Sequence, residues 1–211
     1  MKSMIVTLFL IGTAYAADVP LTNLNFTNAN GQATEYHGAR ALKMTTKDGK
    51  HEGIAAIPGL KFRDGTIDVE VSGAPVKGAS EDARGFIGVI FRQQKESRPF
   101  EILYIRPTNG RADDQLRRNH AVQYSSDPDW PWDRLRKESP GMYESYADMQ
   151  AGEWTHMRIV VKGRDAALYI NHAEQPCLIV HDLKLGDVEG GVALWIGSDT
   201  EGYFRDLRVT K

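Results

Sequence analysis

Arg84-Gly85-Phe86-Ile87-Gly88-Val89-Ile90-Phe91-Arg92, a polar break from Gln93 to Arg98, and Pro99-Phe100-Glu101-Ile102-Leu103-Tyr104-Ile105-Arg106-Pro107 form the stretch whose reading decides the fold. Both flanks are rich in β-branched and aromatic residues, as strands are. The break between them is short and polar enough for a hairpin. Each strand ends in an arginine at the mouth of an apolar run. Arg92, Glu101, Tyr104 and Arg106 therefore form a polar cluster on a hydrophobic frame, which a purely structural hairpin does not need.

The same logic extends outward. From Asp64 to Ser72, Ile67, Val69 and Val71 alternate with Thr66, Asp68 and Glu70, the period-2 pattern of a sheet with one buried face and one wet face. After Trp154, Met157, Ile159 and Val161 share a face; Gly163-Arg164-Asp165 then turns the chain into Ala166, Leu168 and Ile170. Gly190 to Ile196 puts Val192, Leu194 and Ile196 on one face and Trp195 on the other, and Tyr203 to Val209 reads as a final strand. Near the start, Asn28 to Gly31 reads as a turn, 35–37 and 41–45 as short strands, and Pro58-Gly59 as the end of a short apolar run from Gly53. No window holds a helical period over more than about three turns, whereas turn signals recur about every 8–12 residues. These features predict an all-β chain: two antiparallel sheets packed as a jelly-roll sandwich.

The bulk numbers narrow the function classes. With 211 residues and one cysteine, the chain can bury a full core without disulfides or metal. A net charge of -2 argues against a general nucleic-acid binder, and the basic run Arg111 to Arg118 is interrupted by Asp113 and Asp114. Lys2, the apolar run Met4 to Ile11 and Ala14-Tyr15-Ala16 read as a signal peptide over residues 1–16, cleaved after Ala16. Residues 17–211 then form a single domain, periplasmic or secreted, with no membrane span because the apolar run is too short. Cys177 has no intramolecular partner and reads as buried and inert.

Several segments resemble concanavalin A-like, laminin G-like jelly rolls: Phe62-Arg63-Asp64-Gly65-Thr66-Ile67-Asp68-Val69, the two opening strands, Trp154 with Arg158-Ile159-Val160-Val161, Gly190-Gly191-Val192-Ala193-Leu194 and Tyr203-Phe204-Arg205-Asp206-Leu207. Within that group the chain is most similar to bacterial 3-keto-disaccharide hydrolase-like domains, through Phe91-Arg92, Phe100-Glu101 and Phe204-Arg205-Asp206. Those domains carry Glu-x-Gln on the second strand, where this chain has Leu103. The Glu-x-Asp-x-x-Glu signature of the glucanase branch is missing.

Glu101 is the only acid within the apolar central strand. Burial raises a carboxyl pKa and suits a general acid, so Glu101 is the catalytic candidate; an ion pair with Arg92 or Arg106 is the structural alternative. No second carboxylate is fixed by pattern; Asp68 and Glu70 lie on the wet face of their strand. Arg92, Tyr104, Arg106, Gln123, Tyr124 and Trp195 are candidate ligand contacts, and Tyr104 and Arg106 share a face. The long region 108–152 must carry its own strands or act as a lid. Within it, Asp127-Pro128-Asp129-Trp130-Pro131-Trp132-Asp133 sets Trp130 and Trp132 among prolines that keep the segment out of regular structure, and Tyr143 and Tyr146 add aromatics. At least one of these four is expected to face a sugar ring. Asp127, Asp129 and Asp133 are a calcium option, although their spacing matches no calcium loop. The six histidines show no metal-site spacing, and no cofactor is otherwise expected. The expected function is an exported carbohydrate-binding or carbohydrate-active protein. Its ligand lies on the concave sheet, with a 3-keto-disaccharide hydrolase and a cell-surface protein-interaction module as alternatives.

Overall fold

The computed structural model describes residues 17–95 and 98–211, so the expected leader over residues 1–16 lies outside the described residues. Two antiparallel sheets face each other. One sheet runs β13 (Leu178–Val180), β12 (Asp165–Ile170), β11 (Thr155–Lys162), β6 (Gly65–Pro75), β15 (Thr200–Thr210), β4 (Ala39–Thr46) and β3 (Ala29–Tyr36); β1 (Ala17–Asp18) pairs with the far end of β15. The other runs β10 (Glu144–Ser145), β9 (Val122–Asp127), β8 (Phe100–Ile105), β7 (Ile87–Gln93), β14 (Gly190–Ile196), β5 (Gly53–Phe62) and β2 (Asn25–Thr27). This is the expected jelly-roll sandwich. Among the described residues, no helix is long and apolar enough to cross a membrane.

The alternation read from the sequence builds the interior. Ile67, Val69 and Val71 of β6 and Met157, Ile159 and Val161 of β11 face inward, and Val89, Leu103, Ile105, Leu194 and Ile196 meet them from the second sheet. At the area-based rate, each such side chain removed from water contributes about 1.5–3 kcal/mol. The second sheet is also apolar on its outer face, where Ile54, Ile90, Phe100, Ile102, Tyr104, Ala193 and Trp195 form a separate buried cluster. That second cluster positions the site described below.

Three local expectations are corrected. Asn28 to Gly31 is not a turn: Asn28 has a φ of +47°, but Ala29 already begins β3, which pairs with β4 along its whole length. Pro58-Gly59 does not end β5. The strand runs through it as an irregularity, with Ala56 paired to Ala193 before it and Lys61 paired to Gly191 after it. The tryptophan segment is not wholly irregular either. Pro131 caps α2 (Trp132–Glu138), and a proline at a helix start loses no hydrogen bond. The region 108–152 thus holds β9, β10, α2 and α1 (Gln115–Asn119), the last capped by the Asp114 carboxylate accepting from Arg117 N at 2.8 Å.

Candidate functional site

The site is built on the outer face of the second sheet. Register aligns one row across it: Ile54 of β5, Trp195 of β14, Gly88 of β7, Tyr104 of β8, Gln123 of β9 and Glu144 of β10. Gly88 leaves a gap in the row. A Cβ there would lie 2.5 Å from Tyr104 Cβ, and only its absence lets the Tyr104 and Trp195 rings approach to 5.0 Å across the strand between them. The next row, Ala56, Ala193, Ile90, Ile102 and Ser125, is small or aliphatic and forms an apolar floor.

Helix α2 supplies the wall. Leu135, 1 % exposed, anchors it to the interior, and Arg136 grips Glu144 with three contacts of 2.6–3.1 Å. This holds Trp132 at the rim, 45 % exposed, with the Arg136 guanidinium 4.8 Å from its ring. Between Trp132 and the sheet lies a cavity of about 260 Å³, lined by Phe86, Phe100, Ile102, Tyr104, Trp195, Ser125, Asp127 and Glu52. Its polar edge is fixed: Trp195 Nε1 donates to Glu52 Oε2 at 2.7 Å, and Arg98 bridges Glu52 and Asp127, reaching Asp127 Oδ2 at 2.5 Å. Burial pushes the Asp127 pKa up while Arg98 opposes the rise.

Phe86 and Trp132 also border a second cavity of about 480 Å³ whose lining is mostly cationic: Arg84, Arg106, Arg117 and Arg136, with His120, Asn109 and one acid, Asp82, 3.6 Å from Arg84. Arg106 is 5 % exposed. It donates to His120 O at 2.9 Å, Tyr104 Oη at 3.0 Å and Gln123 Oε1 at 3.2 Å, and stacks over the Tyr104 ring at 5.1 Å. No carboxylate pairs with it among the described residues. A buried guanidinium held only by neutral acceptors keeps its positive field for whatever enters the cleft.

The expected site residues divide between the two sides of the sheet. Tyr104, Arg106, Gln123, Trp132 and Trp195 lie together on the outer side of the second sheet. Glu101, Tyr124 and Arg92 do not join them. Glu101 is fully buried and faces the sandwich interior, where it accepts from Tyr124 Oη at 2.6 Å and from Leu185 N at 2.7 Å. It forms a direct ion pair with neither arginine. Desolvation raises its pKa, as a general acid needs, but no substrate reaches it there. The hydroxyl of Tyr124 serves only this interior bridge, also accepting from Lys184 N at 2.9 Å.

Arg92 sits at a bulge, where β7 inserts one extra residue against β14, and adopts a φ of +52°. The twist turns its fully buried guanidinium toward three turns, donating to Arg63 O at 3.0 and 2.8 Å, Gly163 O at 2.7 Å and Gly186 O at 2.5 Å. It is a clip between loops. Trp130 covers the sandwich edge, packed on the interior between Arg134 at 3.9 Å and Lys184 at 4.6 Å. Tyr143 is buried, bonded to Asp182 and Lys184, and Tyr146 lies on the surface against Arg118. Of the four loop aromatics, Trp132 alone lines the aromatic cavity.

Asp127, Asp129 and Asp133 form no converging group among the described residues, because Asp127 is turned to Arg98 and Asp133 belongs to the first turn of α2. Sequence reasoning missed Phe86, Glu52, Arg98 and Arg136. Glu52 precedes Ile54 by two residues and so shares its face, a signal that was available. Arg136 announces itself only once α2 is known.

No family model matches the chain, and no curated protein matches it. Solved structures do share its fold. Carbohydrate-binding module CBM66 from Bacillus subtilis superposes with a TM-score of 0.57 at 12% identity, over 87% of this chain and 95% of that one. A galectin-like protein of unknown function from Bacillus subtilis also gives 0.57 at 12% identity, over 90% of each chain. The potassium-bound Emp46p carbohydrate recognition domain gives 0.53 at 14% identity, over 87% of each. A protein from Parabacteroides distasonis provisionally described as a glycosyl hydrolase gives 0.51 at 13% identity, over 86% of this chain and 92% of that one. The chain has a concanavalin A-like jelly-roll fold.

Proposed function

We propose that this chain is an exported carbohydrate-binding protein whose ligand lies on the outer face of the second sheet, between Trp132 and the Tyr104–Trp195 pair. The observation that carries this reading is a rimmed aromatic cavity with one exposed stacking ring. Sugar rings present apolar C–H faces that stack on indole and phenol, while their hydroxyls need fixed hydrogen-bond partners. Trp132 supplies the ring; Glu52, Asp127 and Ser125 supply the polar edge. The adjoining, mostly cationic compartment, where Arg106 forms no ion pair with a carboxylate among the described residues, suits a sugar carrying an acidic group or a dense set of hydroxyls. The similar folds described as a carbohydrate-binding module and a carbohydrate recognition domain support the same reading.

A hydrolase is the second reading, favoured by the two carboxylates Glu52 and Asp127 at one cavity. Glycoside hydrolysis generally needs one of its two carboxyls protonated. Here Arg98 contacts both carboxylates, tying them into a fixed polar edge, which supports binding over turnover. The test is a glycan array, with acidic oligosaccharides included, followed by titration of the best ligand and a hydrolysis assay on it and on 3-keto-glycosides. Trp132→Ala is expected to weaken binding by about 1–3 kcal/mol with an almost unchanged melting temperature. Turnover by the parent protein, lost in Asp127→Asn or Glu52→Gln, would promote the hydrolase. Binding only to protein partners would promote the interaction module.

A further inference from the structure

The opposite face of the molecule holds a cluster that the carbohydrate reading does not use. Glu70 of β6 and His156 of β11 are direct cross-strand partners on the outer face of the first sheet. His172 is brought over them by the turn that follows β12. Asn171 and His172 both have positive φ, +51° and +59°, and Ala173 N closes the turn onto Ile170 O at 3.1 Å. Two further bonds tie that turn to β11: Asn171 N donates to His156 O at 2.9 Å, and His156 N donates to Asn171 Oδ1 at 3.1 Å. One donor atom from each of Glu70, His156 and His172 lies within 4.8 Å of the others.

His156 carries the second observation. It is 8 % exposed, its Nε2 lies 3.1 Å from Asp68 Oδ1, and its Nδ1 is buried without a partner. Asp68 is itself fixed by Arg158 Nε at 2.7 Å. A carboxylate on one ring nitrogen places the proton there and leaves the lone pair on the other, the arrangement by which proteins orient an imidazole toward a metal. A buried lone pair with no donor to meet it is otherwise a net cost. Arg205, the cross-strand neighbour of Glu70 on β15, stacks its guanidinium on Trp154 at 4.5 Å.

We infer that Glu70, His156 and His172 form a binding site for a divalent transition-metal ion, with Asp68 as the positioning group behind His156. Two imidazoles and one carboxylate suit zinc, nickel, copper or cobalt rather than calcium or magnesium, and leave a further position to water. The His156 and His172 rings are stacked at 3.9 Å and 17°, and since ring-nitrogen lone pairs lie in the ring planes, the two lone pairs lie in nearly parallel planes and do not converge on one point. Capture of an ion therefore requires His172 to swing about its side-chain torsions until the lone pairs converge. His172 is exposed, so the swing gives up only its stacking contact with His156 and disturbs no buried packing.

The test uses the tag-free, metal-stripped chain. Calorimetric titration with Zn²⁺ is expected to show one equivalent bound, and Co²⁺ to give visible d–d absorption with nitrogen ligation. His172→Asn, which suits the positive φ and keeps the turn, and Glu70→Gln should each weaken Zn²⁺ at least tenfold. His181→Ala, at an exposed histidine paired with Asp165 elsewhere, should bind as the parent does. Failure of Zn²⁺, Ni²⁺ and Cu²⁺ to bind stoichiometrically would overturn the site. So would Zn²⁺ affinity within twofold of the parent in either His172→Asn or Glu70→Gln.

Discussion

Glu101 carries its burial as a titration signal. Desolvation holds its pKa above the ordinary 4.5 even though Tyr124 and Leu185 donate to it. The folded state therefore keeps a proton that the unfolded chain gives up, and stability falls as pH rises through the window above 4.5. Urea unfolding at a series of pH values should show that slope in the parent and a flatter dependence in Glu101→Gln; equal slopes would contradict the assignment. The burial of Glu101 was legible in the sequence, since its neighbours on β8 are apolar. Which side of the sheet it faces was not. Every residue of β8 is buried, so alternation cannot tell interior from outer face. The same blindness placed Tyr124 with Gln123, its neighbour on the other side of β9. Cys177, expected to be buried and inert, is partly buried against the interior; its thiol contacts Leu168 O at 3.4 Å, and burial pushes its pKa up to about 11. Native alkylation near pH 8 should be far slower than for the denatured chain.

At the scale of elements, the site depends on a strand that lacks a side chain and a helix that hangs one out. Gly88→Ala sets a methyl 2.4 Å from Leu103 O as well as against Tyr104, so the backbone itself must give. The expected cost is about 1–3 kcal/mol of stability, with weakened sugar binding because Tyr104 is displaced. Denaturation and titration of the variant check both. Arg92 acts differently. Arg92→Lys removes the fork that serves three turns at once and is expected to destabilise by 2 kcal/mol or more, on the order of a lost set of charged hydrogen bonds, while affinity per folded molecule stays intact. A lost affinity at full stability would return Arg92 to the ligand site. The strands were largely readable, because β6 and β11 alternate with one face buried. Helix α2 was not, since its prolines argue against regular structure until Pro131 is seen to sit at the cap.

At the scale of the molecule, the two candidate sites sit on opposite faces: the aromatic cleft lies outside the second sheet and the histidine cluster outside the first. That cluster was invisible to spacing because its three members come from β6, β11 and the turn after β12, joined only by register and a closed turn. Export remains a proposal of the sequence; expression with the leader in place should yield a secreted or periplasmic chain beginning at Ala17. The central claim concerns which face binds the sugar, and the four tryptophans report on it separately. Trp132 and Trp195 line the cleft, Trp130 covers the sandwich edge, and Trp154 lies beneath Arg205, on the first sheet's side. The most direct measurement is a nitrogen–proton correlation spectrum of the four indole N–H groups during titration with the best glycan from the array. The account predicts shifts at Trp132 and Trp195, where the indole N–H is held by Glu52, with Trp154 unmoved. Shifts at Trp154 with Trp132 and Trp195 unmoved, or no shift at saturating glycan, would contradict it.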